Sequence, residues 1–276
     1  MLEIGVMLNN LEPDRLAAFA VAAQHGFRVV HTSAVPEAWI GGPVERRAYI
    51  KAARGSRLRI ASMFVGYDGQ SYHDIASIAR TVGLAVTDLR PHRFGVTLAY
   101  IDLLAWPVRA RSLSTHLGFF PSDPRDPEHR AMVEVVREVA DHCSLYGLGF
   151  HLETGQESAN ELLRFLHEVD KHNVGVNFDA ANFLLYGTDD PLAALDRLGP
   201  HIRGVHCKDG FPPTEPGLLG KEVPLGQGQV DWPAILRRLH ALNYRGPLII
   251  ERERGPSVVA DILAARTYLE QLQEKL

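Results

Sequence analysis

The sequence predicts a single (β/α)₈ barrel (a TIM barrel) occupying residues 1–276. Three observations carry that expectation. Short apolar runs alternate with amphipathic segments along the whole chain, and eight such units fit within 276 residues. The turn after the first run, Leu8-Asn9-Asn10-Leu11, lacks the glycine-rich phosphate turn expected of an open, doubly wound sheet. The composition, 46% hydrophobic and 22% charged, is that of a globular chain able to fill a large core without disulfide staples.

Strands are expected at residues 2–7, 28–31, 58–64, 112–116, 149–153, 174–178, 202–206 and 247–251, because each is a short apolar run bounded by turn residues. Helical periodicity falls at 12–25, 129–146, 159–171, 191–198 and 232–242. Glu12 and Asp14 bracket a proline in the first of these, and Asp231 precedes Trp232-Pro233 as an N-cap followed by an early proline. Gly26, Gly147 and Gly199 stand where helices should stop. The fourth unit is the least regular, since residues 82–107 mix apolar positions with Asp88, Arg90, His92 and Arg93. The proline-rich stretch 121–127 and the long loop 208–229 both follow strand ends, the side on which barrels place their active sites.

Several function classes are disfavoured by composition. A formal net charge of −4 gives no general attraction to nucleic acid or anionic membranes. Two cysteines, Cys143 and Cys207, form neither a zinc pattern nor a disulfide framework, which points to a reducing, cytoplasmic setting. The opening MLEIGVMLNN reads as a first strand rather than a secretion signal, and no run is long enough to span a bilayer.

The chemistry lies in the second half. Four successive predicted strands end in polar, metal-capable side chains: Glu153, Asp179, His206 and Glu251. Adjacent parallel strands lie about 5 Å apart, so four neighbouring C-terminal ends can converge on one ion. Three carboxylates and an imidazole suit Mn²⁺ first, with Mg²⁺, Co²⁺, Fe²⁺ and Zn²⁺ also compatible. Any one of these residues alone would be an ordinary strand-end polar group; their shared position in successive units is the argument. Residues two apart share a strand face, so Glu253 is the fallback ligand for Glu251. By the same parity Cys207 points away and is structural.

Other positions balance a functional role against a structural one. His116 ends the fourth strand and either contacts substrate or packs. Lys208 either reaches a substrate oxygen or is solvated. Gln156 and Glu157 open the turn after the fifth strand, as substrate contacts or as a helix cap. Trp39, Phe64 and Phe119 are candidate pocket walls, although aromatics are more often core. Gly226 and Gly228 serve a turn.

The segments HLETGQE (151–157), NVGVNFDAAN (173–182), VHCKD (205–209), PLGQGQVDW (224–232) and IIERER (249–254) resemble the xylose isomerase-like barrel superfamily. Within it they are most similar to the sugar phosphate isomerase/epimerase group that includes ketose 3-epimerases. The likeness runs from Ser114 to Arg254 and is weaker before. It implies one divalent metal on Glu153, Asp179, His206 and Glu251, with Glu153 and Glu251 as an acid/base pair acting through an enediolate on a small sugar or polyol, and a homodimer or homotetramer. Many relatives carry a histidine three residues after the aspartate; Asn182 stands here and keeps hydrogen bonding without a titratable group. A metal-dependent dehydratase of a cyclic polyol such as an inosose uses the same ion and base. Two minor alternatives are an abasic-site endonuclease, disfavoured by Asn182 and the acidic balance, and a non-catalytic sugar-binding barrel, disfavoured by the intact ligand set.

Overall fold

The computed structural model describes residues 1–276. Eight strands close into a parallel barrel: β1 (Ile4–Met7), β2 (Val29–Thr32), β3 (Arg59–Phe64), β4 (Ser112–Thr115), β5 (Gly149–Glu153), β6 (Val174–Asp179), β7 (Ile202–Cys207) and β10 (Leu248–Ile250). Around the barrel the order is β1-β10-β7-β6-β5-β4-β3-β2. The remaining two, β8 (Asp209–Phe211) and β9 (Lys221–Val223), form an antiparallel hairpin inside the long loop after β7. That loop therefore carries structure of its own where the sequence indicated only an insertion.

The strands and their helices share one core of 63 buried apolar residues, which is the outward face of the barrel packed against the helix stripes. A separate cluster of Met7, Val29, Ala61 and Ile249 fills part of the barrel's interior; Ile249 lies two residues before Glu251 and shares its inward face. No helix is long and apolar enough to cross a membrane.

Local chemistry explains most helix starts. Asp126, Asp190 and Asp231 each accept a backbone N–H of the first turn, followed by Pro127, Pro191 and, one residue later, Pro233, where a missing N–H costs nothing. Ser158 and Glu161 form a reciprocal capping box on the helix Ala159–Val169. The first helix differs from expectation. Residues Leu8–Leu11 make one turn directly after β1, and the main helix begins only at Ala17. Pro13 interrupts the run, and Asp14 restarts it by accepting the N–H groups of Leu16 and Ala17.

The irregular fourth unit resolves into the helix Arg90–Tyr100, which runs on through a π-helical turn at Ile101–Ala105 to Trp106–Val108. Its two arginines are internal ties, while Asp88 and His92 are exposed. Arg93 is buried, donates to the carbonyls of Gly83 and Thr81, and lies over the Tyr67 ring; Arg90 holds the carbonyls of Leu84 and Ala85.

Candidate metal centre

Four neighbouring strands of the barrel, β5, β6, β7 and β10, deliver Glu153, Asp179, His206 and Glu251 to one point. The register sets them level: Asp179 pairs with His206, Glu153 with Asn177, and Ile249 with His206. Glu251 lies one residue past β10, and its N–H still bonds the Cys207 carbonyl at 3.1 Å. One donor atom from each of the four lies within 4.8 Å of all the others. Glu153, Asp179 and His206 are buried, and the Glu251 side chain is only 11% exposed.

Asp179 has two duties. Its Oδ1 caps the helix Ala180–Tyr186 by accepting the Asn182 N–H at 3.0 Å, which turns Oδ2 toward the other three. His206 Nδ1 stands 2.9 Å from Glu153 Oε1 and 3.2 Å from Glu251 Oε2, ion-pair distances without hydrogen-bond geometry. Asp179 Oδ2, His206 Nδ1 and Glu251 Oε2 are buried without a hydrogen-bond partner, the two carboxylate oxygens lying 3.5 and 3.0 Å from the Lys208 ammonium. Such groups are costly to leave unsatisfied, and three of them aimed at one another fit a single divalent cation.

The electrostatics follow from this crowding. Burial alone would lower the His206 pKa, but the Glu153 and Glu251 carboxylates outweigh it and hold the imidazole well above its usual range. Burial, reinforced by Glu251 and Glu153 and opposed by Lys208, pushes Asp179 up to about 7. Glu251 is held well below the carboxylate range because Lys208 and His206 overcome its own burial. Lys208 is buried, with Nζ 2.6 Å from Glu253, 3.0 Å from Glu251 and 3.5 Å from Asp179. Glu253 is thus tied to Lys208 at the rim and is not one of the four.

The cluster opens into a cavity of about 670 Å³ whose lining includes Glu153, Glu251, Lys208, His116, Asn182 and Phe64. His116 lies edge-on to Phe64 and near Tyr72, with centroids at 5.4 and 5.8 Å; burial lowers its pKa. Asn182 Nδ2 donates to the Thr154 carbonyl at 3.1 Å.

Gln156 and Glu157 are placed elsewhere. They line a second, smaller cavity of about 150 Å³ with Glu161 and Arg164, because the turn at Gly155, with φ +143°, carries the chain away from the barrel mouth. Gln156 reaches the main cavity only through Tyr186, whose hydroxyl it contacts at 3.2 Å. Trp39 packs on Tyr49 in the core and Phe119 stands behind Tyr186, so Phe64 alone of the three candidate aromatics faces the main cavity. Cys207 is buried on the opposite strand face.

Below the cluster the barrel interior is partly polar. Asn177 donates through Nδ2 to Glu153 and also lies 3.1 Å from His206 Nε2. His31 Nδ1 is 2.9 Å from the same Nε2. Ser62 and Ser114 share a hydrogen bond at 2.7 Å. His31 and Asn177 escaped the sequence reading, although His31 ends a predicted strand and Asn177 lies two residues before Asp179 on the same face; strand parity alone was the available signal. Tyr72 and Tyr186, on loop and helix, also line the cavity and left no such signal.

Comparison with known proteins adds kinship to this geometry. The chain matches the family described as xylose isomerase-like TIM barrel over residues 19–274. A crystal structure of a xylose isomerase domain protein from Planctomyces limnophilus superposes with a TM-score of 0.85 and 35% identity, covering 93% of this chain and 91% of that one. A putative L-ribulose-5-phosphate 3-epimerase of Escherichia coli is 38% identical over 99 residues, 33% of each chain. An inosose dehydratase of Geobacillus kaustophilus is 28% identical over 149 residues, 48% of each. The aligned part of the chain thus spans about a third to a half of the length of these two relatives.

Proposed function

The chain belongs to the xylose isomerase-like TIM-barrel family, and from that premise we propose a divalent-metal-dependent isomerase or epimerase acting on a sugar or sugar-like polyol. One observation carries the reading: four metal-capable donors within 4.8 Å, three with buried atoms that make no hydrogen bond, at the floor of a cavity able to hold a small polyhydroxylated ligand. Glu153, Asp179, His206 and Glu251 would hold the cation, manganese being the first candidate. When bound, it supplies the positive charge that stabilises an oxyanion developing beside the reacting carbon.

The chain's own groups do the rest. Glu153 and Glu251 are the outer two of the four, on strands separated by β6 and β7, so one carboxylate can take a proton from a carbon next to a carbonyl while the other returns it from a different side. Lys208 balances the carboxylates and can hydrogen-bond a substrate oxygen. Asn182 and His116 offer neutral hydrogen-bonding groups along the wall, and Phe64 and Tyr72 exclude water. Glu153→Gln and Glu251→Gln should each fold and lose turnover by orders of magnitude. Proton exchange from a panel of ketoses and polyols into solvent is the assay; activity within a few-fold of the parent in either variant removes that glutamate from the mechanism.

A second reading is favoured by the inosose dehydratase relative: the same base removes the proton and a hydroxyl leaves as water. Product analysis separates the two, since dehydration changes the mass of the product and epimerisation does not. In either case the ligand is a small molecule; the site calls for no nucleic acid.

A further inference from the structure

We infer that His31 is the positioning residue that decides which ring nitrogen of His206 faces the carboxylates. This rests on the metal-centre reading and goes beyond it by naming the group on which the imidazole ligand depends. For Nδ1 of His206 to present a lone pair toward Glu153, Asp179 and Glu251, its proton must reside on Nε2, and a buried Nε2–H needs an acceptor. The choice of acceptor is narrow. His206 is fully buried, and two side-chain atoms approach Nε2: His31 Nδ1 at 2.9 Å and Asn177 Nδ2 at 3.1 Å.

Asn177 cannot accept with that atom. The same Nδ2 faces a carboxylate oxygen of Glu153, which fixes it as the amide nitrogen, because the carbonyl end in that place would set oxygen against oxygen. As a donor it favours a lone pair on Nε2, so a proton there depends on His31 Nδ1, the one acceptor within reach. It comes from across the barrel: β2 and β7 are separated by β1 and β10, and the two histidines by 175 residues. Two backbone features bring them together. The β2–β3 register shifts between Val30 and His31, a local irregularity of the kind that re-aims a side chain. Gly204 of β7, two residues before His206, leaves open the space beneath: a Cβ there would overlap Asn177 Oδ1 and meet His31 Cε1 at 3.7 Å. His31 is 2% exposed and its ring meets that of His206 edge-on, centroids 5.0 Å apart and planes at 61°. No carboxylate forms an ion pair with it.

The test compares His31→Phe, which keeps an aromatic ring and removes the acceptor, with His31→Gln, which changes the shape and keeps an acceptor. Mn²⁺ affinity is measured by calorimetry, and the protonation of the His206 ring nitrogens by ¹⁵N NMR of histidine-labelled protein loaded with diamagnetic Zn²⁺. The parent should show a directly protonated Nε2 and a metal-bound Nδ1 on His206. His31→Phe should lose about 10–100-fold in Mn²⁺ affinity, and His31→Gln should recover most of it. The reverse order, with Phe binding as well as the parent and Gln weakly, would assign His31 a purely space-filling role and overturn the inference. So would a His206 bound through Nε2. Failure of the parent itself to take up Mn²⁺ would instead overturn the metal-centre reading, and this inference with it.

Discussion

Asp209 provides the sharpest test of how the loop over the site is held. Its carboxylate is 1% exposed and accepts four backbone N–H groups: Oδ1 takes Gly210 at 2.9 Å and Val230 at 3.1 Å, Oδ2 takes Gly226 at 2.9 Å and Gly228 at 3.1 Å. One side chain therefore ties both ends of the segment bearing the β8–β9 hairpin, and that segment sends Leu218, Leu219, Gly220 and Glu222 to the cavity wall. Asp209→Asn keeps the size, but either amide orientation turns an NH₂ against two N–H donors. Two charge-assisted hydrogen bonds are lost, at about 1.5–3 kcal/mol each, for a total of about 3–6 kcal/mol. With an unfolding entropy near 0.6 kcal/mol per degree for 276 residues, the melting temperature should fall by about 5–10 °C if the segment unfolds with the barrel. If it detaches first, the melt moves less and the amides of residues 210 and 226–230 exchange faster. Circular dichroism melts and hydrogen exchange together cover both cases. An Asn variant that melts within a degree of the parent with unchanged exchange at those amides would refute the reasoning.

Two further predictions concern the charged groups. Saturating the chain with Mn²⁺ at about a hundred times its dissociation constant should add about 2.7 kcal/mol, or roughly 4–5 °C on the same entropy scale; a chelator should reverse the gain and Asp179→Asn should abolish it, while no shift with any of Mn²⁺, Mg²⁺ or Zn²⁺ would count against a metal centre. Glu157 has an enclosed, unpaired Oε2, and burial pushes its pKa up to about 8. The folded chain then keeps a proton that the unfolded chain releases between about pH 4.5 and 8, so this group lowers stability progressively as pH rises through that window and by a constant amount above it. Glu157→Gln should therefore be more stable than the parent by about 2–5 kcal/mol at pH 9 and no more stable at pH 4; an equal difference at both pH values, read from denaturant melts, would show that the carboxyl's charge is not the cause.

Much of the fold was legible because barrel strands and amphipathic helices are local patterns. All eight barrel strands fall within the expected runs or overlap them, with ends that differ by one or two residues, as β6 reaching Asp179 and β10 stopping at Ile250 illustrate. The misread stretches share a cause: a local signal was overridden by a distant partner. Arg90 and Arg93 look like surface charges in the fourth unit, yet both are buried on oxygens outside their own helix: carbonyls of residues 81–85 for the pair, and Glu128, 38 residues away, for Arg90. The hairpin after β7 was hidden because its strands are three residues each, too short for alternation to register, and because its closure depends on Asp209 gathering N–H groups up to 21 residues away.

The site divides along the same line. The four convergent donors could be read from sequence because a strand-end position is a one-dimensional fact and barrel order converts it into a three-dimensional one. Gln156 and Glu157 also follow a strand, but Gly155 sits at φ +143°, and that turn sends both residues toward the small cavity; nothing in the letters HLETGQE distinguishes the two directions. His31 and Asn177 could have been proposed by extending parity one layer down, from 179 to 177 and from the end of β2 inward. What parity could not supply is the reason for their polarity. A layer below a binding site is expected to be apolar, as Met7, Val29, Ala61 and Ile249 are, and a buried histidine or asparagine there has a cost unless something requires its hydrogen bond. Here Asn177 steadies Glu153 and His31 meets Nε2 of His206, so the polar layer is explained by the demands of the layer above it. That dependence links strands on opposite sides of the barrel, and it becomes visible only once the barrel is closed.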